Sequence, residues 1–360
     1  MTWISTPDGR RLRLGTLVGS GSSGLVYPVE EQPGLVAKLV PCCGDQVHYR
    51  RRIERLVRRR QEPRTALLLG RPPNRFSWPL ALVTTDRGVP GYVMRDMRVH
   101  YRPMDQLLRP AARSESLPEA TWATGLAAAA SLAGLLADLH RCGYVVGDLK
   151  PDNLWVDERG AVGLSDVDSL QFTDRGELFR CEARTPGYTA PEGLAAVQPG
   201  PPSSPPTPRS DCFVLAVLVH QLLCNGLHPF HGYPADQERY VSLDDNLRHR
   251  RCRLLDPASL LLSSRTPPLD VLPRATAALM RCAFADTGRG GSAGRPDAAA
   301  WARHLREQAA PERIRVCPSF DNHLFTVERP WCPWCDLDQR RGVGYPAPRP
   351  TPEPNGSRVL

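Results

Sequence analysis

The chain has 360 residues, 41% of them hydrophobic and 23% charged, which is the balance of a globular protein and excludes a disordered or fibrous one. No apolar run looks long enough to cross a bilayer; the most apolar, Leu126 to Leu139, is Ala-rich, about 14 residues long and reads as a buried helix. Met1 to Asp8 lacks both a basic start and an apolar core, so no signal peptide is expected and a cytoplasmic location is. The 11 cysteines are odd in number and mostly scattered, which speaks against a secreted disulfide framework.

The net charge is +8, yet lysine occurs only at Lys38 and Lys150; the other 44 basic residues are arginine. A compact ammonium and a planar guanidinium are not interchangeable beside phosphates. The two lysines therefore mark candidate sites before any motif is consulted.

In chain order, residues 11 to 40 predict three short strands with turns, interrupted by a glycine cluster. Residues 46 to 60 predict a very basic helix. Leu80 to Thr84 and Gly91 to Met97 predict a strand pair, and Trp122 to His140 a long helix. Short strands follow at Leu154 to Val156 and Val162 to Leu164, then helices at Asp211 to Leu223, Leu269 to Phe284 and Pro296 to Glu307. Residues 198 to 208 form a Pro-rich insert, expected as an exposed loop. Residues 339 to 360, rich in Pro, Gly and Arg, are expected to be a flexible tail.

The glycines Gly19, Gly21 and Gly24, followed by Val26, fit G-x-G-x-x-G-x-V between two strands. Glycines let backbone N–H groups approach phosphate oxygens closely. A dinucleotide fold needs a helix straight after this loop, and here a strand follows. Lys38, in Val36-Ala37-Lys38, lies on the next strand, where it can reach the α- and β-phosphates of a nucleotide. Its carboxylate partner is expected from the following helix: Glu54 first, Glu62 second. That helix carries Arg50, Arg51, Arg52, Arg55, Arg58, Arg59 and Arg60, which read either as a solvated face or as a nucleic-acid surface, the former preferred.

Asp148-Leu149-Lys150-Pro151-Asp152-Asn153 has the spacing D-x-x-x-x-N of a phosphoryl-transfer loop. Asp148 would accept the proton of a substrate hydroxyl, Lys150 would steady the transferred γ-phosphoryl and Asn153 would bind magnesium. Asp166, 18 residues on, would hold magnesium against the β- and γ-phosphates. An A-P-E follows at Ala190-Pro191-Glu192, and Arg295-Pro296 lies near the end of the helical body.

Taken together, these motifs resemble a eukaryotic-like Ser/Thr protein kinase over residues 11 to about 308. More narrowly, the chain is similar to a bacterial branch with a G-D-L catalytic loop (Gly147-Asp148-Leu149), a D-x-D-S-x-Q segment (Asp166 to Gln171) and a C-terminal zinc ribbon. The resemblance implies an α+β, bilobal kinase-like fold: a β-rich small lobe over 1–97 and a helical large lobe over 98–310. A zinc-binding knuckle over 311–338 and the tail over 339–360 would follow. It implies ATP between the lobes with Mg2+ or Mn2+, Met94 and Met97 at the hinge facing adenine, Val26 and Ala37 covering it, and Glu192 paired with Arg295. Protein substrates phosphorylated on Ser or Thr are implied, with a metal-dependent phosphatase and a von Willebrand A-type protein as associated partners; no membrane or nucleic-acid partner is expected.

Two departures bear on activity. The usual H-R-D reads Val146-Gly147-Asp148, so a phosphorylated activation loop lacks its usual arginine. The usual D-F-G reads Asp166-Val167-Asp168, and loss of the glycine should stiffen the turn; Asp168 is expected to cap it, or else to add a second carboxylate near the metal. An active but slow enzyme is expected. A pseudokinase that signals by nucleotide binding or shape is the alternative.

Near the C-terminus, Cys317, His323, Cys332 and Cys335 have the spacing C-x5-H-x8-C-x2-C. Three thiolates and an imidazole suit a closed tetrahedral zinc site. Trp331-Cys332-Pro333-Trp334-Cys335 also has a thioredoxin-like look, but no βαβ pattern surrounds it.

Overall fold

The computed structural model describes residues 2–21, 24–42, 44–194, 205–236, 241–285, 294–340, 342 and 344–345. Ser22 and Ser23 of the glycine loop, most of the Pro-rich insert (198–204) and residues 346–360 of the tail lie outside the described residues.

The N-terminal lobe is built on one antiparallel sheet of seven strands. These are β1 (Thr2–Ser5), β2 (Arg11–Leu14), β3 (Gly19–Gly21), β4 (Gly24–Pro28), β5 (Leu35–Leu39), β6 (Ala81–Thr85) and β7 (Pro90–Arg95), in the order β2-β1-β6-β7-β5-β4-β3. Strand β1 was not legible as a strand, and the first expected strand breaks in two around residues 15–18. The alternation of β5 divides the lobe. Ala37 and Leu39 turn into a small core with Ile4, Leu12, Val83 and Val93, whereas Val36 and Lys38 turn to the opposite face. Helix α1 (Gln46–Arg59) packs on β6 and β7 through Ile53 and Leu56, both fully buried, and a short α2 (Pro63–Leu69) follows.

The C-terminal lobe is mainly helical: α3 (Met104–Leu108), α4 (Pro110–Ser116), α5 (Trp122–Arg141), α6 (Pro191–Leu194), α7 (Pro208–Leu223), α8 (Leu243–Arg248), α9 (Arg274–Ala285), α10 (Ala298–Gln308) and α11 (Pro333–Gln339). Two three-stranded sheets edge the cleft: β8 (Arg102–Pro103) with β10 (Leu154–Val156) and β11 (Val162–Leu164), and β9 (Tyr144–Val145) with β12 (Gln171–Asp174) and β13 (Glu177–Phe179). Helix α5, at 20 residues, is longer than the apolar run anticipated and has the length and composition of a membrane span. Its apolar residues are instead covered chiefly by α10 and α7: Leu126, Leu132, Leu135, Leu136 and Leu139 are all fully buried. Truncating any of them would cost about 2–5 kcal/mol.

The pair β14 (Tyr233–Pro234) and β15 (Leu260–Leu261) lies farther along the lobe. The hairpin β16 (Ile314–Val316) and β17 (Leu324–Thr326), with α11, forms the C-terminal knuckle. Its Phe325, Trp334 and Leu337 join the same continuous core as α5 and α10. Within the stretch expected as a flexible tail, Tyr345 is buried, with the Arg113 guanidinium 3.8 Å from its ring centre and Trp334 beside it.

Candidate active site between the lobes

A cavity of about 470 Å3 lies between the lobes. The glycine hairpin β3–β4 roofs it with Gly19, Gly21, Gly24 and Val26; Val36, Lys38, Met94 and Met97 line it from the sheet and hinge, and Lys150, Asn153, Trp155 and Asp166 from the large lobe. Gly24 shows why the roof needs glycine. Its φ is +141°, and a Cβ there would meet the Leu39 carbonyl oxygen at 2.5 Å. Ala37 does not line the cavity; Val36 does, because residues one apart on a strand face opposite ways. Trp155, which the motifs do not single out, provides part of the floor.

Residues 146–153 hold their shape through Asp211 on α7. Its carboxylate accepts the backbone N–H of Val146 at 2.8 Å and of Gly147 at 2.9 Å, and lies 3.0 Å from His140 Nε2. Asp148 is buried and closes a compact network. Lys150 Nζ lies 2.8 Å from its carboxylate, the Asn153 amide donates to its carbonyl at 2.9 Å, and Thr185 Oγ1 donates to Oδ1 at 2.7 Å. Lys150 also donates to Thr185 Oγ1 at 3.1 Å. Thr185 was visible only as part of the run before A-P-E. Farther along, Glu192 and buried Arg295 pair at 2.7 Å, as the resemblance implies.

Lys38 is only 3% exposed, so its charge demands partners. They do not come from α1. Glu54 is exposed, and Glu62 pairs with Arg59 at 3.3 Å. Lys38 is paired instead with Asp166 and with Asp168, the latter at 2.8 and 3.1 Å to its two oxygens. Asp168 in turn accepts the hydroxyls of Tyr92 at 2.8 Å and Tyr49 at 3.2 Å. Burial would lower the Lys38 pKa, but Asp168 and Asp166 more than offset that and raise it above its ordinary value. Tyr92, fully buried beside Asp168, is held well above the usual phenol range, first by burial.

Asp168 is therefore not the turn cap anticipated. Ser169 Oγ closes that turn on the Asp166 carbonyl at 2.8 Å. Asp166 itself has left-handed backbone (φ +59°), a conformation that costs energy for a non-glycine residue and aims its carboxylate into the cavity. Gln171, last of the D-x-D-S-x-Q run, donates to the Pro206 carbonyl at 2.8 Å.

The expected solvated face holds for Arg51 and Arg58, which are exposed; the other arginines of α1 and its end are half-buried or buried, and all seven meet partners within the protein. Arg52 donates to the carbonyls of Asp168 (3.2 Å), Leu170 (2.9 Å) and Arg180 (2.5 Å). Arg59 donates to Tyr144 Oη and the Thr173 carbonyl, both at 2.8 Å. Arg55 and Arg58 meet Asp174, Arg51 meets Glu177, Arg50 meets Thr84 and Gly88, and Arg60 meets the Leu80 carbonyl.

The knuckle brings Cys317, His323, Cys332 and Cys335 together, with all four ligand atoms within 4.8 Å of one another. Sγ of Cys317 and Cys335 are 3.6 Å apart, and His323 Nδ1 is 3.5 Å from Cys335 Sγ and 3.6 Å from Cys332 Sγ. Ligands about 2.0–2.3 Å from a tetrahedral zinc lie at such separations. None of the four is in a disulfide or a thioredoxin-like βαβ setting.

Comparison with known proteins bears on the family and the fold. A sequence model described as the protein kinase domain matches residues 97–282, just over half of the chain. The chain is 29% identical over 347 residues to "Protein kinase YegI" of Escherichia coli K12, covering 95% of this chain and 51% of that protein, so it spans about half the length of that curated relative. It is 33% identical over 120 residues to myotonin-protein kinase of mouse and of human, covering 33% of this chain and 19% of theirs. A crystal structure of a rhoptry kinase from Toxoplasma gondii superposes with a TM-score of 0.54 at 17% identity, covering 86% of this chain and 83% of that one, a likeness of fold.

Proposed function

The chain belongs to the protein kinase domain family, and we propose that it transfers the γ-phosphoryl of ATP to Ser or Thr hydroxyls of protein substrates in bacterial signalling. The observation that carries this reading is the Asp148–Lys150–Asn153–Thr185 network, whose Lys150 and Asn153 line the same cavity as Lys38 and Asp166.

In this reading the adenine lies between Val26 and Val36 above and Trp155 below, with Met94 and Met97 at the hinge. Lys38 takes the α- and β-phosphates and Lys150 the γ-phosphoryl. Asp148 orients the substrate hydroxyl and receives its proton. The hydroxyl oxygen forms a bond to the γ-phosphorus as the bond to the β–γ bridging oxygen breaks, and ADP leaves. Asp166 and the Asn153 side-chain oxygen suit a hard divalent cation, since the Asn153 amide nitrogen is already committed to Asp148. When bound, Mg2+ would neutralise charge on the β- and γ-phosphates.

We place the chain in the bacterial branch marked by Gly147-Asp148-Leu149, Asp166 to Gln171 and the Cys3His knuckle; the similarity to YegI supports this. A metal-dependent phosphatase and a von Willebrand A-type protein are the partners that go with that placement.

The test is phosphate transfer by the purified protein with ATP and magnesium, to itself and to generic substrates, against Asp148→Asn. Transfer lost in the variant supports the enzyme. Nucleotide binding without transfer in either form would favour the nucleotide-binding pseudokinase, and neither binding nor transfer would end the enzyme reading and leave only a module that signals by shape. A phosphoproteomic comparison of the same two forms identifies substrates.

A further inference from the structure

We propose that Asp168 is the positioning residue that holds Lys38 for phosphate binding, so that the lysine's carboxylate partner comes from the Asp166–Asp168 turn and not from helix α1. The proposal rests on the kinase reading above and names how that site is built.

Four observations converge on it. First, both oxygens of Asp168 lie within 3.1 Å of Lys38 Nζ, whereas the acidic residues offered by α1 and its end point elsewhere. Second, Asp168 is buried and does not line the cavity, while Asp166 does. The two carboxylates therefore grip the ammonium from different sides: Asp166 at the nucleotide space, Asp168 from behind it. Third, hydroxyls from two elements, Tyr92 on β7 and Tyr49 on α1, fix the orientation of Asp168. A carboxylate held by two donors and facing one ammonium is pre-organised, so little rearrangement is needed when phosphates arrive. Fourth, Arg52 ties α1 to the carbonyls of Asp168 and Leu170. The helix thus acts as a strut behind the turn, and its movement is not required to complete the ion pair. In kinases whose lysine pairs with a glutamate on this helix, helix placement and loop phosphorylation control that pair. Here the pair closes within the segment that also carries Asp166.

Wild type, Asp148→Asn, Asp168→Asn, Asp168→Glu and the double variant Asp168→Gly with Tyr49→Glu form the test set. The double variant removes the turn carboxylate and returns one from α1. The first readout is acetylation of Lys38 by acetic anhydride with and without ATP; with two lysines in the chain, peptide mapping separates Lys38 from Lys150. The second is KM for ATP against kcat, with melting temperature as the fold control. Asp168→Asn should raise the Lys38 labelling rate roughly ten-fold at fixed pH and raise KM for ATP at least as much as it lowers kcat. Asp168→Glu and the double variant should recover most of both. Unchanged labelling and KM in Asp168→Asn, or no recovery in either carboxylate-bearing form, overturns the proposal. If wild type and Asp148→Asn transfer phosphate equally poorly, the kinase reading fails, and the labelling series still decides the role of Asp168.

Discussion

Asp211 and Gly147 are joined by a 2.9 Å hydrogen bond from the glycine backbone, made while Gly147 holds a φ of +73°. The residue that replaces the usual arginine is thus one that only glycine fills without strain. A Cβ at 147 would stand 2.7–2.9 Å from Cys181 and Pro206, so the space for a longer side chain is already occupied. Restoring the arginine should therefore fail to activate the enzyme. We predict that Gly147→Ala and Gly147→Arg each cost about 2–5 kcal/mol, from the left-handed backbone and the overpacking together. Denaturant unfolding measures this, and a Gly147→Arg protein with unchanged stability and higher transfer activity contradicts it.

The arginines of α1 give a second prediction, in which burial decides the magnitude. Arg52 is buried and satisfies three carbonyls, so Arg52→Ala should cost about 3 kcal/mol and weaken ATP binding by loosening the Asp168 turn. Arg58 pairs with Asp174 from a side chain that is 41% exposed, and Arg58→Ala should cost less than about 1 kcal/mol. Because these cations already have internal partners, no salt-sensitive retention of DNA or RNA by α1 is expected. Equal losses in the two variants, or tight low-salt nucleic-acid binding abolished by Arg58→Ala, would contradict this account.

The sequence carried the Asp148–Asn153 loop as a local cluster, and the β-rich lobe before the helical one, because local chemistry dictates both. Asp148, Lys150 and Asn153 lie within six residues, and one short turn brings them together. The identity of the Lys38 partner was not legible. Glu54 and Asp168 lie 16 and 130 residues from Lys38, and only the packing of β7 and α1 against the Asp166 turn decides between them. The choice of Ala37 over Val36 was a matter of strand phase that was legible: with Lys38 at the cavity, the period of two puts Val36 on the same face and Ala37 on the other. The arginine run misled for a related reason: its carbonyl acceptors lie mostly in residues 168–180, distant in sequence and silent as motifs.

The Cys3His cluster predicts one zinc per chain by metal analysis. The knuckle is not an appendage, because Trp334 and Leu337 belong to the large-lobe core and Arg329 pairs with Asp270 at 2.5 Å. Removing the metal should therefore weaken the large lobe too. We expect Cys332→Ser with Cys335→Ser, or prolonged chelation, to lower the melting temperature by roughly 5 °C or more. A metal-free protein of unchanged stability would leave the cluster without a structural role.

Acid should loosen the segment that precedes A-P-E. His228 is fully used as a neutral imidazole: Nε2–H donates to the Gly187 carbonyl at 3.0 Å, and Nδ1 accepts the Phe230 N–H at 3.3 Å. Burial, the first cause, pushes its pKa from 6.5 down to about 4, and burial likewise takes His220 down to about 3. Both folded values lie below the unfolded one. Between about pH 4 and pH 6.5 the unfolded chain binds protons that the folded chain does not, so stability falls as pH drops through that window. It is insensitive to these histidines above it. Each contributes a slope of about 1.4 kcal/mol per pH unit at most. A second proton on His228 would take the lone pair that receives the Phe230 N–H; Nε2–H still donates to the Gly187 carbonyl, so the lost Phe230 bond and the burial of a charge weaken the fold beside Tyr188. Melting temperatures from pH 7.5 to 4.5 should therefore fall less steeply for His228→Gln than for wild type, because glutamine can donate to Gly187 without titrating. Parallel curves would show that His228 does not set the acid limit.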